Sequence, residues 1–472
     1  MNIKTANIIT LGSILGAGIG FFTIPIITWF FTQEDIGRFS LYQLALNLGM
    51  ILISLDMHQS YVREYYETEN KAEILKNSLI PGTIFFLVIV IFLVTTKISL
   101  SNLLFGFYSA SIDFLILISV YITFIINILI HVIRMHNFAW AFAFTQVVPK
   151  LGYIVCLISI VYIYKNYNFE LLIFTNIFVL SLTVFCLIFF LKDEVLKAIK
   201  IKTNLKKLKE MLAFSLPLVF GSLSYWALTS VDRVFLKTFS NFKELALYAV
   251  ASTLAGGIGV FVTVFSNLWH PIVYKWINKG VDVHKILNVN ELMVVLVCLL
   301  WSLVGMFSWL STFFFPESYN GVSTILVGCV AMPLLYMLSE TTVIGIGLTR
   351  KTVYAMIAIL LSLALNVIIN YFLVDKYGSK ASTFASMSAF ALFLILRTEF
   401  SSLLWMSLPR KKMYFSIFIY YIFTLLIIGD YAYNTIYNTL IWFFLFLIVF
   451  ILYYKSLRSN LNYVLRVRNF RC

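Results

Sequence analysis

Long apolar runs fill this chain, and the short connectors between them alternate between basic and nearly uncharged. Each run approaches the ~20 residues that a helix needs to cross a bilayer. About 14 spans are predicted, at 8–31, 39–60, 79–96, 113–134, 142–164, 169–191, 212–238, 245–274, 287–312, 319–343, 352–374, 381–405, 413–431 and 436–456. Hydrocarbon gives backbone N–H and C=O groups no partners, so runs of this kind must satisfy themselves as helices. The predicted class is an all-α polytopic membrane protein.

The connectors then set the orientation. One side carries Lys4; Arg63, Lys71 and Lys76; Arg134; the lysines between 192 and 209; Lys275, Lys279 and Lys285; Arg350 and Lys351; Arg410, Lys411 and Lys412; and a tail from Lys455 to Arg471. The other side has only Arg38, Lys97, Lys165, Lys237, Lys243, Lys376 and Lys380, a more than threefold bias. Lys and Arg are retained in the cytoplasm, so both termini are expected there. The same spread accounts for the net charge of +14 without any nucleic-acid partner, because no single basic patch gathers it. The N-terminal run is too long for a signal-peptide core and lacks a small-residue cleavage site, so it is read as an uncleaved first helix. Cys156, Cys186, Cys298, Cys329 and Cys472 form no CxxC pair, and neither a disulfide framework nor a metal site is read from them.

The longest cytoplasmic connector is 192–211, KDEVLKAIKIKTNLKKLKEM. Its apolar residues recur at helical spacing among lysines, as in a helix lying on an anionic leaflet; a solvated linker is the alternative. It separates two blocks of six spans, giving an N-terminal lobe 1–191, the linker 192–211, a C-terminal lobe 212–407, and an extra hairpin with a basic tail, 408–472. Ile36-Gly-Arg-Phe-Ser-Leu-Tyr before the second span and Leu245-Ala-Leu-Tyr-Ala-Val-Ala before the eighth occupy matching places. Six spans per block is even, so the expected repeat is parallel and pseudo-symmetric about the membrane normal.

Several short motifs stand in order along the chain. They are Gly12…Gly16…Gly20…Pro25 with Gly37-Arg-Phe-Ser, Asp56…Tyr61-Val-Arg63-Glu-Tyr, Leu216-Pro217 with Trp226 and Ser230-Val-Asp232-Arg233, Trp269-His-Pro271…Tyr274, and Tyr377-Gly378-Ser-Lys-Ala381. Together they resemble the polysaccharide-transporter branch of the multidrug/oligosaccharidyl-lipid/polysaccharide exporter superfamily, which includes flippases of O-antigen and capsule repeat units. The resemblance implies an alternating-access flippase in the bacterial cytoplasmic (inner) membrane. It would move an undecaprenyl-pyrophosphate-linked oligosaccharide from the inner to the outer leaflet along a polar path between its lobes. It implies membrane lipids, a polysaccharide polymerase and chain-length machinery as partners, no cofactor, and coupling to a proton or sodium gradient. A sugar-pyrophosphate head group cannot cross hydrocarbon unaided, and no bond need break for a protein to carry it.

Ionisable residues inside spans cost about 2.5–3.5 kcal/mol each and are functional candidates. Lys150, beside Pro149 and Gly152 with no acid within a helical turn, is the leading one. It either contacts the pyrophosphate or an acidic sugar, or snorkels to the cytoplasmic surface. Arg397 is a second cation, facing the substrate or paired with an acid; Asp232-Arg233 is either an ion pair anchoring its helix end or faces the outer mouth, Arg233 as a cavity cation and Asp232 as a coupling or gate residue. Asp56 and Arg63 are seven residues apart and are expected on one helix face. Asp56 would then bind a coupling proton or sodium ion, or close a gate with Arg63 or with a basic residue across the lobes. Glu340 is its counterpart in the second lobe, with Arg350 as an ordinary partner. His270, before Pro271, is expected to pack and hydrogen-bond at a kink. Gly256-Gly257-Ile-Gly259 suits close packing or bending, and Gln43, Asn47, Gln146, Asn366 and Asn370 suit sugar hydroxyls or interhelical bonds.

Alternatives are a polysaccharide polymerase or membrane glycosyltransferase, a multidrug exporter, and a channel. The first two usually need catalytic groups on a sizeable outer loop, and the outer connectors here are short. Isolated basic residues favour an anionic substrate over cationic drugs, and no pore-loop pattern is present.

Overall fold

The structure, a computed structural model, describes residues 3–163, 167–280, 284–429 and 435–469, with backbone alone for 3–7, 267, 435–436 and 455–469. The tail cations and Cys472 therefore fall outside the described side chains, as does Lys165. Among the described residues every regular element is helical. The described helices divide into two compact units, 1–230 and 231–472.

The first unit contains α1 (Ile3–Phe30), α2 (Gln33–Ser54), α3 (Met57–Glu64), α4 (Lys71–Thr96), α5 (Leu100–Phe105), α6 (Ala110–Met135), α7 (Ala139–Ile163), α8 (Phe169–Phe190), α9 (Lys192–Lys200) and most of α10 (Leu205–Phe239). The dividing point falls inside α10. The second unit continues with α11 (Phe242–Asn278), α12 (His284–Phe307), α13 (Ser311–Phe314), α14 (Val322–Thr342), α15 (Ile344–Leu348), α16 (Val353–Leu404), α17 (Lys411–Ile428) and α18 (Thr435–Asn469). Among the described residues, thirteen helices are long and apolar enough to span a bilayer. One of these, α16, is 52 residues long and is interrupted at Gly378, which takes φ 51° and ψ −129°. Only glycine adopts that geometry without strain, so α16 is two spans joined at one residue.

The helices start where short polar side chains can occupy orphan N–H groups. Thr32 accepts from Asp35 N, Asn70 from Glu73 N, Asn168 from Leu171 N and Asn241 from Glu244 N. Counting six spans from α1 and six from α10, the second span packs on the fourth and the fourth on the sixth in each set. These pairs are α2 with α6 and α6 with α8, then α11 with α14 and α14 with the later arm of α16. That shared pattern is the pseudo-symmetric repeat. The extra hairpin, α17 and α18, packs on α12 and α14. Gly305 lies directly under the Trp442 ring, and Ser302 and Tyr420 share a 2.6 Å hydrogen bond.

Two elements differ from the sequence expectation. The basic connector is not one helix: α9 ends at Lys200, and Asn204 opens α10 by accepting from Lys207 N. The second span ends early, because Leu55 and Asp56 both take positive φ (47° and 51°) and separate α2 from α3. Gly256 and Gly259 meet nothing within 4 Å of an added Cβ, so close packing is not what places them.

Candidate functional site

The seat of Lys150 is built by glycine. Gly12, Gly16 and Gly20 recur every four residues and form one stripe on α1. The stripe lets α7 run alongside at backbone contact: a Cβ at Gly12 would lie 2.6 Å from Ala143 Cα, and one at Gly16 would strike the Gln146 carbonyl. Lys150 is the next residue of α7 along this seam, and its Nζ donates to the Gly16 carbonyl at 2.8 Å. Lys150 is exposed, and among the described residues it has no ion-pair partner. An apolar cavity of about 830 Å³ lies on the other flank of α7, where Pro149 and Gly152 line it with Trp140, Phe144 and Phe190. Lys150 does not line it. The ammonium is thus held by one helix carbonyl, which leaves two N–H donors for an anion.

At the α2–α3 break the Asp56 carboxylate is buried (4% exposed) and accepts from Ser222 Oγ at 2.6 Å. His58 lies 3.9 Å from it, and the His58 ring stands 4.6 Å from that of His131. Arg63 is not its partner. The break turns α3 out of register with α2, and the Arg63 guanidinium lies 4.4 Å over the Phe214 ring. The start of α10 is tied to the same region. Ser60 donates to Met211 O at 2.7 Å, Lys207 pairs with Glu64, and Lys76 donates to Ile199 O at 3.1 Å.

In the second unit Asp232 is fully buried. Its Oδ1 accepts from Asn370 Nδ2 at 2.9 Å; its Oδ2 accepts from Tyr248 OH at 2.9 Å and Ser386 Oγ at 2.6 Å. Asn370 also bonds Asn366 and accepts from Ser382 Oγ at 2.8 Å. The expected pair with Arg233 is absent, because neighbouring helix residues point about 100° apart. Arg233 donates instead to Ser252 Oγ at 3.3 Å. Asp232 is therefore a buried carboxylate whose bonding partners are all uncharged.

Glu340 is a different case. It is buried (5% exposed) between Arg397 Nη1 and the His270 ring, each 2.7 Å away. Arg397 also donates to Ser339 Oγ and lies 4.9 Å over Phe393. Arg350 is not the partner of Glu340; it has positive φ (55°) in the turn after α15. Glu399, two residues beyond Arg397, pairs with Arg410 and accepts from Tyr414. Arg397 is accordingly a neutralised cation that ties α14 to α16, while His270 packs beside Pro271 as expected.

Residues 3–277 match the family model described as polysaccharide biosynthesis protein. The chain belongs to this family. A relative in Haemophilus influenzae, "Lsg locus putative protein 1", is 25% identical over 276 residues, 58% of this chain and 66% of that protein's length. Among solved structures, a lipid II flippase MurJ in an inward closed conformation superposes with TM-score 0.69 at 16% identity, covering 98% of this chain and 100% of that one. A multidrug resistance MATE family transporter of the MOP superfamily, in an inward-facing conformation, gives TM-score 0.60 at 14% identity over 83% of this chain and 94% of its own. The fold is that of these multi-pass transporters.

Sequence reasoning singled out Lys150, Asp56, Asp232, Arg233, Glu340 and Arg397 but paired several of them wrongly. The interhelical hydrogen bonding expected of Asn366 and Asn370 is present, but its partner, Asp232, was not read from the sequence. Both asparagines are fully buried, so they face the carboxylate rather than sugar hydroxyls. The signal was available: they are four residues apart on one helix, as are Ser382 and Ser386 on the next. A polar stripe on each of two apolar helices needs a shared partner.

Proposed function

We propose that this protein flips an undecaprenyl-pyrophosphate-linked oligosaccharide from the inner to the outer leaflet of the bacterial cytoplasmic membrane by alternating access. The observation that carries the reading is Lys150, an ammonium within a span that lacks an acidic partner among the described residues and is seated on a single carbonyl. A site built in this way welcomes a phosphate or an acidic sugar, and it would repel the cationic drugs of a multidrug exporter. Membership in a polysaccharide biosynthesis family and the likeness to a lipid II flippase support the same substrate class. The head group changes leaflet with all its bonds intact, so the protein acts without catalysis.

The coupling ion is assigned to Asp232. A fully buried carboxylate among Tyr248, Asn366, Asn370, Ser382 and Ser386 needs a proton or a hard cation to offset its charge, and the surrounding oxygens suit either proton or sodium. The basic connectors support cytoplasmic termini. Delivery to the outer leaflet would hand single units to a polymerase and its chain-length machinery. Vesicles test the reading directly. Purified protein is reconstituted with labelled lipid-linked oligosaccharide, and outer-leaflet sugar is titrated with impermeant periodate. Flipping exposes the inner pool to oxidation while the pyrophosphate link to the lipid stays unbroken; access no greater than in empty vesicles overturns it.

A further inference from the structure

The Arg410-Lys411-Lys412 connector does more than hold the chain on the cytoplasmic side. It forms one wall of a cavity of about 690 Å³ whose other walls include Asn290, Glu291 and Tyr453. From the geometry of this cavity we propose that it is a binding site for the phosphate head group of an anionic phospholipid. The inference does not depend on the transport reading.

Five features converge. Lys411 and Lys412 are exposed and have no ion-pair partner among the described residues. Arg410 is spent on Glu399, and Glu291 is the one acid on the wall, so the lysines leave the cavity positive. The first intrahelical bond of α17 runs from Tyr414 N to Arg410 O, leaving the earlier amides of an 18-residue helix at the same mouth. Tyr453 is 3% exposed, and its hydroxyl, beside Ser416, makes no hydrogen bond of ordinary geometry among the described residues. A buried phenol on a polar wall calls for an acceptor. Asn290 has its Oδ1 taken by Thr341 and keeps its amide donors.

A lipid occupant fits better than a soluble one. The cavity sits where the connector meets α12, α17 and α18, with Leu408, Pro409 and Met413 also on the wall. A basic pocket of this kind between helices at the cytoplasmic surface matches a phosphate carried on acyl chains.

Native mass spectrometry on the full-length protein, titrated with phosphatidylglycerol or phosphatidylcholine, tests the assignment. The K411Q/K412Q variant should bind phosphatidylglycerol about thirtyfold more weakly, with phosphatidylcholine unaffected. Tyr453→Phe, which keeps the ring, should weaken phosphatidylglycerol about fivefold. Inorganic phosphate at equal concentration should not displace the lipid. Unchanged phosphatidylglycerol affinity in both variants overturns the proposal. Displacement by inorganic phosphate would make the ligand a soluble anion and also overturn it. Loss of undecaprenyl pyrophosphate binding with phosphatidylglycerol retained would reassign the cavity to the transported lipid.

Discussion

At the scale of single residues, the ionisable groups sort by their partners. Glu340 and Arg397 neutralise one another and hold helices together. Among the described residues Lys150 and Asp232 have only uncharged partners, so a charge on either must be met by something else. Lys150→Ala should reduce transport at least tenfold at normal protein levels, while Lys150→Arg, which keeps the charge, retains a substantial part. Equal transport by Lys150→Ala would remove the anion contact. Asp232→Asn preserves size and most of the hydrogen bonding but not the charge. Transport by that variant should lose its response to imposed proton or sodium gradients, and an unaltered response would move coupling elsewhere. For Glu340→Ala, the buried guanidinium of Arg397 is left unpaired, at a cost of about 3–5 kcal/mol. Detergent melting should show a large loss of stability, partly recovered when Arg397 is also replaced by a neutral residue. A melting temperature unchanged by Glu340→Ala would show that the pair is not structural.

At the scale of helices, backbone exceptions decide what pairs with what. Spacing placed Asp56 and Arg63 on one face, and continuous helix would have done so. Two successive residues of positive φ at Leu55 and Asp56 broke the register, and nothing in the residue types there signals such a break. The break between the spans expected at 352–374 and 381–405 was legible from apolar length, and Gly378 within it is the joint of α16. The same joint is closed from α11, where the Glu244 carboxylate accepts both Ser379 N (2.8 Å) and Ser379 Oγ (2.6 Å). A Cβ at 378 would lie 2.5 Å from Glu244 Oε2 as well as straining the backbone. Gly378→Ala should therefore cost about 1–3 kcal/mol and lower the melting temperature by several degrees. A variant as stable as the parent would mean that the joint tolerates a side chain. The glycine stripe of α1 was visible in sequence, but that Ala143, Gln146 and Lys150 would sit against it was not, because partner choice between apolar helices leaves little pattern in either one.

At the scale of the whole molecule, the sequence was most informative where bilayer physics is strictest. Span number, all-helical class and the division into two blocks of six spans followed from apolar length and charge alternation, since hydrocarbon forbids other solutions. The long connector was less legible: its lysines suited one surface helix or a solvated linker, yet Asn204 starts a new helix that runs without interruption into the next span. Polar networks were least legible, since each depends on distant residues meeting.

The central claim concerns which leaflet holds the glycolipid. In cells deleted for this protein, with synthesis of the lipid-linked units intact, those units should accumulate on the cytoplasmic leaflet, and surface polysaccharide should vanish. Single units reaching the outer leaflet but remaining unjoined would contradict the account and assign the protein to polymerisation.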